Sequence, residues 1–202
     1  MTVIIGLTGG IATGKSTVSN IIKSQGIPVV DADIISREVV MPEKEAYEKI
    51  VACFGDQILN DDKTINRAAL GEIIFNDSEK RTMLNEIVHP AVRKEMKRQA
   101  DAYQRSGESL VVMDIPLLFE SNLTHMVDRT WLVYTAPELQ LQRLINRDHF
   151  SEKQALSRIH SQMPITEKKE LADVIIMNNG SLVELENDVL LLLNKQKNRP
   201  DN

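Results

Sequence analysis

A glycine-rich run near the start of the sequence has the spacing of a phosphate-binding loop. It reads Gly9-Gly10-Ile11-Ala12-Thr13-Gly14-Lys15-Ser16, followed by Thr17, and matches the pattern G-x-x-x-x-G-K-[ST]. The apolar run Val3–Thr8 before it predicts a buried strand, and the helical period of Ser16–Gln25 after it predicts a helix. In that setting the loop N–H groups can surround phosphate oxygens, and the helix dipole adds positive potential. The run therefore predicts a site for a nucleoside triphosphate.

Two side chains of this loop have specific chemistry, and a third residue further along the chain could join them. Lys15 can reach the β- and γ-phosphates, and the Ser16 hydroxyl can hold Mg²⁺. Asp114 ends the apolar run Leu110–Asp114, a predicted strand, and could bind Mg²⁺ or a metal-bound water. Pro116 follows two residues later and is as consistent with a plain structural turn. Both interpretations of Asp114 stay open.

A pair of carboxylates follows the second predicted strand, which covers residues 27 to 31. If the chain stays extended, Asp31 and Asp33 face the same way and lie beside the phosphate loop. Phosphoryl transfer needs a carboxylate that orients the acceptor hydroxyl and takes its proton. An N-cap for a helix at Ile34–Val40 would account for only one of the two acids. We assign the catalytic role to Asp33 and expect Asp31 to be a cap, a support or a partner of a metal-bound water.

Three arginines in the second half of the chain are candidates for charge neutralisation. Arg143 and Arg147 are four residues apart and project from the same face of a predicted helix, and Arg158 lies on the next one. Guanidinium groups suit triphosphate oxygens, and a lid built from these helices would exclude water. The alternative is a solvated basic face paired with Asp148 and Glu152. Both interpretations stay open.

The remaining histidine and cysteine patterns carry less chemistry. His89 stands before Pro90, where we expect the longest helix to begin, and is more typical of a capping or packing residue than of a catalyst. The four histidines lack the spacing of a zinc site. The single cysteine, Cys53, excludes an intramolecular disulfide, and its neighbours Ala52 and Phe54 predict a buried, inert side chain.

These residues need a parallel sheet to position them. Five apolar runs predict strands, and the strand–helix alternation indicates an α/β doubly wound sheet that binds ligands beyond its carboxyl ends. Between them, residues 36–106 show only helical periodicity, in segments near Glu45–Phe54, Arg67–Phe75, Glu79–Ile87 and Pro90–Ser106. We expect a helical lobe there, although helices that cover one sheet face are the alternative. The sheet domain then comprises residues 1–35, 107–136 and 167–202, and residues 137–166 form the lid.

Length and composition narrow the class of protein. The chain has 202 residues, 42% of them hydrophobic, and a net charge of −5, which argues against nucleic-acid binding through bulk charge. No apolar stretch approaches the roughly 20 residues of a membrane span, and the start lacks the basic region of a signal peptide. We expect a cytoplasmic protein by elimination. The absence of an Asn-Lys-x-Asp motif argues against a switch GTPase, and the short chain argues against a motor ATPase. A small-molecule kinase fits best.

Taken together, these motifs resemble the dephospho-CoA kinase family. The landmarks occur in family order over nearly the whole chain: Leu7–Ile11, Asp31–Asp33, His89–Pro90, Asp114–Glu120, Arg143–Asp148, Arg158–Ile159, Gln162 and Asn178–Gly180. The sequence departs from the family's usual pattern at Ala12-Thr13, where most members have Gly-Ser. Thr13 keeps a hydroxyl, whereas Ala12 restricts the backbone.

The resemblance implies a P-loop three-layer core of about five strands, a helical CoA-binding lobe and a mobile lid. It implies ATP-dependent, Mg²⁺-assisted phosphorylation of the ribose 3′-hydroxyl of dephospho-CoA. On the matching positions, the loop from Gly9 to Thr17 binds the phosphates and Mg²⁺, Asp33 is the general base, and Lys15, Arg143 and Arg147 stabilise the transferring charge. The implied substrate contacts are Asp31, Asp33, His89, Leu117, Leu118, Phe119, Glu120 and Arg158, and Asn178 and Gly180 border the adenine.

Two other functions remain alternatives at this point. One is a kinase for another nucleoside or small alcohol, and the other is a binding switch that hydrolyses ATP slowly without an acceptor. No pattern indicates a nucleic-acid or membrane partner, and we expect a monomer or a weak homo-oligomer.

Overall fold

The computed structural model describes residues 2–197, which divide into two compact units. The first unit comprises the chain up to Val30 and from Ala100 onward, and the second is Asp31–Gln99. Within the described residues, no helix combines the length and apolarity that crossing a membrane requires.

A five-stranded sheet forms the centre of the first unit. Its strands are β1 (Val3–Gly9), β2 (Val29–Asp31), β3 (Leu110–Asp114), β4 (Arg129–Tyr134) and β5 (Val174–Met177). They lie in the order β2-β3-β1-β4-β5, and β1 pairs in parallel with both β3 and β4, as β4 does with β5. All five residues of β3 are buried, as expected of a strand covered on both faces. The predicted α/β class and all five predicted strands are confirmed.

The described residues form nine α-helices. They are α1 (Lys15–Ser24), α2 (Ala32–Glu38), α3 (Glu45–Phe54), α4 (Arg67–Asn76), α5 (Ser78–Arg105), α6 (Pro137–Asp148), α7 (Glu152–His160), α8 (Ile165–Leu171) and α9 (Leu182–Lys197). Helix α9 contributes Leu185, Val189 and Leu193 to the core of the first unit, at the four-residue spacing of one helix face. Ser151 with Gln154 and Ser181 with Glu184 close the capping boxes that the sequence predicts.

The second unit is helical, in agreement with the periodicity of its sequence. Its core gathers Ile50 and Phe54 from α3, Ile58 from a short 3₁₀ turn, and Leu70 from α4. An isolated antiparallel bridge joins Leu59 to Ile65.

Two of the expectations about these helices are wrong, and one helix was not expected. Helix α5 runs without interruption through Pro90, so the proline does not begin a helix. A proline inside a helix removes one N–H donor, yet this helix extends over 28 residues on both sides of Pro90. Helix α8 has no clear apolar period, and the sequence did not predict it. Cys53 is exposed rather than buried, because α3 buries Ala46, Ile50 and Phe54 along a different face.

Candidate active site

Four neighbouring strands of the first unit end at the same edge of the sheet, and the residues at or just after their ends lie there. Gly9 ends β1 and Asp114 ends β3, while Thr135 and Asn178 directly follow β4 and β5. Parallel strands bring their carboxyl ends to the same edge, which is where ligands bind in α/β sheets. The glycine-rich loop of residues 9–16, called the phosphate loop below, starts at this edge.

The backbone of the phosphate loop leaves the start of α1 open for an anion. Gly14 is the N-cap of α1, with φ 90° and ψ 19°, and no side chain caps the helix. Within the first turn, the Thr17 N–H donates to the Gly14 carbonyl at 3.0 Å. The N–H groups of Lys15 and Ser16 precede the first intrahelical bond and lie at the positive end of the helix dipole. Ser16 is exposed in this first turn. The loop therefore has the geometry of a phosphate site, where the sequence predicts one.

Two side chains hold the carbonyl of Thr13 in the middle of the loop. Asn178 donates its side-chain amide to that oxygen at 2.8 Å, and the Thr135 hydroxyl donates to it at 3.1 Å. Asn178 is 8% exposed. Its side chain therefore fixes the loop, and its predicted contact with adenine stays a prediction. Gly180, predicted beside the same base, is exposed in the turn before α9.

Arg143 extends this network from α6. It donates through Nη1 to the Asn178 carbonyl at 2.8 Å and to the Thr135 hydroxyl at 3.2 Å. The guanidinium of this half-buried residue lies against the residues that hold the loop. The role of Arg143 in charge neutralisation stays a prediction, and Thr135 is a participant that sequence reasoning missed.

Two glutamines fix the peptide groups on both sides of Ile11. Gln140, in α6, donates to the Ile11 carbonyl at 2.8 Å, and the Ile11 N–H donates to Gln162 at 2.9 Å. Both glutamines come from residues 137–166, the predicted lid. Gln162 was recognised only as a family landmark, and nothing in the sequence pattern singled out Gln140. The base of the predicted lid is therefore bonded to the phosphate loop.

Lys15 and Asp114 form an ion pair within the site. Asp114 is 2% exposed, so its carboxylate lies in a poorly hydrated environment where the pair interacts strongly. The ion pair places Asp114 next to Lys15 of the phosphate loop, and both interpretations of Asp114 stay open. Its contact with a metal stays a prediction.

The residues that follow Asp114 have different environments. Leu117 is 41% exposed, whereas Leu118 and Phe119 are buried in the core. In this conformation Leu118 has no exposed surface with which to contact a ligand. Glu120 forms an ion pair of 2.7 Å with Lys168. Among these predicted substrate contacts, Leu117 is the one that presents a large apolar surface.

The other two arginines are exposed at the ends of the predicted lid helices. Arg147 makes two hydrogen bonds, of 2.8 and 2.9 Å, to its neighbour Asp148, and this hydrogen bonding lowers the pKa of that carboxyl. Arg158 stacks its guanidinium over the ring of Phe150 at 4.4 Å. The pairing of Arg147 matches the solvated-face alternative, so its role and that of Arg158 in charge neutralisation stay predictions.

The predicted residues of the second unit are Asp31, Asp33 and His89. The chain turns into α2 at Ala32, so the expectation of an extended Asp31–Asp33 segment is wrong. Asp31 caps α2 by accepting the N–H groups of Asp33 and Ile34 at 3.0 and 3.1 Å. Asp33 is exposed in the first helical turn, and His89 is exposed within α5. Their catalytic and binding roles stay predictions.

The donor set at the loop fits Mg²⁺. Mg²⁺ is usually held by one or two protein oxygens, with waters and phosphate oxygens completing the shell. The Ser16 hydroxyl and the Asp114 carboxylate are oxygen donors of this kind. Over residues 2–197 no group of three or more His, Cys, Asp or Glu side chains gathers into an all-protein metal cage.

The fold and the phosphate loop define a P-loop kinase. The same fold occurs in the shikimate kinase of Acinetobacter baumannii, which is 19% identical and has a TM-score of 0.53 over 98% of this chain and 97% of that one. The family model for dephospho-CoA kinase matches residues 3–184. The chain belongs to the dephospho-CoA kinase family, whose members are ATP-dependent kinases.

Individual relatives agree with this assignment. A dephospho-CoA kinase of Shouchella clausii is 58% identical over 177 residues, which cover 88% of this chain and 90% of that protein. One from Bacillus cereus is 53% identical over 193 residues and 96% of both chains. The solved dephospho-CoA kinase of Campylobacter jejuni is 32% identical, with a TM-score of 0.76 over 96% of this chain and 97% of that one.

Proposed function

We propose that this chain transfers the γ-phosphoryl group of ATP to the ribose 3′-hydroxyl of dephospho-CoA and releases CoA and ADP. The main support for the proposal is the start of α1, where no side chain caps the helix at Gly14. This site belongs to a chain whose residues 3–184 match the family model for dephospho-CoA kinase. The relatives named above carry the same activity in their names.

The phosphate loop is the proposed binding site for the triphosphate. The loop N–H groups and the dipole of α1 provide positive potential that is already oriented before the nucleotide binds. Lys15 would exchange its ion pair with Asp114 for contacts with phosphate oxygens. Because Asn178 and Thr135 hold the Thr13 carbonyl, and Arg143 in turn bonds to both of these residues, the loop need not reorganise when the charge on the phosphates redistributes.

Ser16 and Asp114 are the proposed holders of Mg²⁺. When bound, the ion supplies charge neutralisation to the transferring phosphoryl group. The proposed work of the chain itself is to orient the phosphates through its loop and to bring cationic side chains to them. Arg143 and Arg147 are the proposed sources of that additional positive charge, since they lie on the same helix four residues apart.

Asp33 is the proposed residue that orients the acceptor hydroxyl and removes its proton. Two observations support this role. Asp31 is committed to capping α2, whereas the Asp33 carboxylate is exposed on the helix that directly follows β2. A carboxylate oxygen can accept the hydrogen bond and then the proton of the acceptor hydroxyl as the bond to phosphorus forms.

The helical lobe at residues 36–106 is the proposed site for the CoA part of the substrate, with His89 as a contact, and residues 137–166 are the proposed lid. Leu117, Phe119, Glu120 and Arg158 complete the proposed acceptor contacts, whereas Leu118 has no exposed surface for such a contact in this conformation. The proposal needs only small molecules as partners. The cytoplasmic location and the monomeric or weakly oligomeric state stay predictions.

The position of the new phosphate tests this proposal. Dephospho-CoA and ATP are incubated with the protein, and the product is examined by mass spectrometry and ³¹P NMR. We expect one added phosphate at the ribose 3′ position, and no product from the Lys15→Ala variant, which serves as the control for contaminating kinases. A phosphate at another position, or equal product from that variant, would contradict the proposal.

A further inference from the structure

A lysine without exposed surface lies beneath the phosphate loop. Lys168, in α8, is 0% exposed, and its ammonium lies 2.7 Å from Glu120 Oε1 and 3.4 Å from the Gly9 carbonyl oxygen. Burying an ammonium group costs several kcal/mol unless it is paired and hydrogen-bonded. The two partners together satisfy that condition, and one of them is the first residue of the phosphate loop.

The residues before Lys168 contact the same part of the loop. Gln162 accepts the Ile11 N–H, and the Met163 N–H donates to the Glu120 carboxylate at 3.2 Å. Ile165 is buried, and its Cδ1 lies 3.5 Å from the position that a Cβ on Gly10 would occupy. The segment 162–168 therefore lies against residues 9–11 at three successive points.

We propose that Lys168 is a positioning residue that fixes the start of the phosphate loop for nucleotide binding. The peptide unit is planar, so a bond to the Gly9 carbonyl also fixes the direction of the Gly10 N–H. Glu120 supplies the compensating charge and ties Lys168 to the Met163 backbone. The inference rests on the proposed function in one respect, which is that the nucleotide bound by this loop is ATP.

The competing explanation is that Lys168 only neutralises Glu120. A pair of variants separates the two explanations. Lys168→Met removes the ammonium but leaves the Glu120 carboxylate without its cation, which is expected to destabilise the fold. The double variant Lys168→Met with Glu120→Gln removes both charges, and the new amide oxygen can still accept the Met163 N–H. If charge neutralisation were the only role, the double variant would behave like the unmodified chain.

The experiment combines three measurements on the full chain. Thermal unfolding reports stability, titration calorimetry reports the Kd for ATP, and hydrogen exchange without nucleotide compares a peptide covering residues 7–14 with one from β4. We expect the double variant to unfold within about 4 °C of the unmodified chain. Its Kd for ATP should rise about tenfold, the effect of losing one charge-assisted bond, and the loop peptide alone should exchange faster. Lys195→Met, an exposed lysine of α9, is the control and should change none of the three.

Two results would overturn the inference. One is a double variant with unchanged ATP affinity and unchanged loop exchange, which would reduce Lys168 to a counterion. The other is failure of both Lys168 variants to fold while Glu120→Gln folds, which would make Lys168 a folding residue. The exchange comparison needs no nucleotide. It would therefore still decide the role of Lys168 if the chain bound ATP but failed to phosphorylate dephospho-CoA.

Discussion

The side chain of Asn178 lies against the backbone of Gly14, while its amide donates to the carbonyl of Thr13 at 2.8 Å. A Cβ on Gly14 would lie 2.1 Å from Asn178 Nδ2, and Gly14 has a φ of 90°, where side chains are strained. Two separated parts of the chain, the end of β5 and the phosphate loop, therefore depend on each other. A glycine of the nucleotide motif is required here by packing as well as by the approach of a phosphate.

This dependence predicts a non-additive effect of substitutions. Gly14→Ala should lower the free energy of unfolding by about 2–5 kcal/mol, from the left-handed backbone and the clash together. Asn178→Ala should cost about 1 kcal/mol for its lost hydrogen bond. The double variant, which lacks the clash, should lose less than the sum. Urea unfolding of all four proteins measures this coupling, and strict additivity would contradict the packing argument.

At Ala12 we predict the opposite effect, an increase in the free energy of unfolding when the side chain is removed. Ala12 has a φ of 59°, in the left-handed region that favours glycine. Ala12→Gly should therefore raise the free energy of unfolding by up to about 1 kcal/mol, since the strain relieved exceeds the entropy that glycine loses. Ala52→Gly, in the right-handed helix α3, is the matched control and should lower it by about 1 kcal/mol. Urea denaturation measures the change in the free energy of unfolding for both variants. A decrease in both would show that the backbone of Ala12 is not strained.

Substitutions at Asp33 and at the nearby Asp31 should distinguish a catalytic role from a structural one. Asp33→Asn should lower kcat by about a hundredfold while the Kd for ATP stays near normal, because it removes the proton acceptor but not the phosphate loop. Asp31→Asn keeps a side-chain oxygen for the helix cap and should retain most of its turnover. Steady-state kinetics and ATP titration provide both numbers. Unchanged turnover in Asp33→Asn would remove it from its proposed role.

In the second unit, we predict that Glu95 makes the stability of the fold depend on pH. Two hydrogen bonds from Arg98 are the main cause that lowers the pKa of Glu95 from 4.5 to about 2. Since the folded pKa lies below the unfolded one, the stabilisation is complete above pH 4.5 and is lost as the pH falls toward 2. Arg98 is 65% exposed, so solvent screens the pair and its contribution to stability should be small.

NMR titration of the side-chain carboxyl groups checks this effect. In Arg98→Gln the pKa of Glu95 should return toward its ordinary value, and the loss of stability between pH 4.5 and 2 should become smaller. Arg93→Gln, another exposed arginine of α5, is the control and should leave the titration unchanged. A Glu95 that titrates normally in the unmodified chain would show that the Arg98 bonds do not persist in solution.

The parts of the fold that local sequence determines could be predicted. The buried strands have continuous apolar runs, and the caps Ser151 and Ser181 are followed three residues later by Gln154 and Glu184. The phosphate loop has a fixed pattern of glycines with Lys15 and Ser16. Each of these features depends on neighbouring residues, so a short window of sequence contains the physical cause.

Features that depend on distant contacts could not be predicted. Helix α8 was missed because its one-sided apolar pattern is weak, and Lys168 is buried although lysine is usually exposed. Gln140 and Thr135 acquire their roles only when the sheet brings α6 and the end of β4 to the phosphate loop. The prediction of an extended Asp31–Asp33 segment is wrong for a local reason. Asp31 is the N-cap of α2, and the helix begins at the next residue.

The most direct test of the account measures ADP release from ATP with different acceptors. The assay compares dephospho-CoA with AMP, with other nucleosides and with no acceptor, at equal concentrations. We predict rapid ADP release with dephospho-CoA and little with any other condition. Equal release without an acceptor would indicate a nucleotide hydrolase or switch, and faster release with another nucleoside would indicate a different kinase; either result would contradict the proposed function.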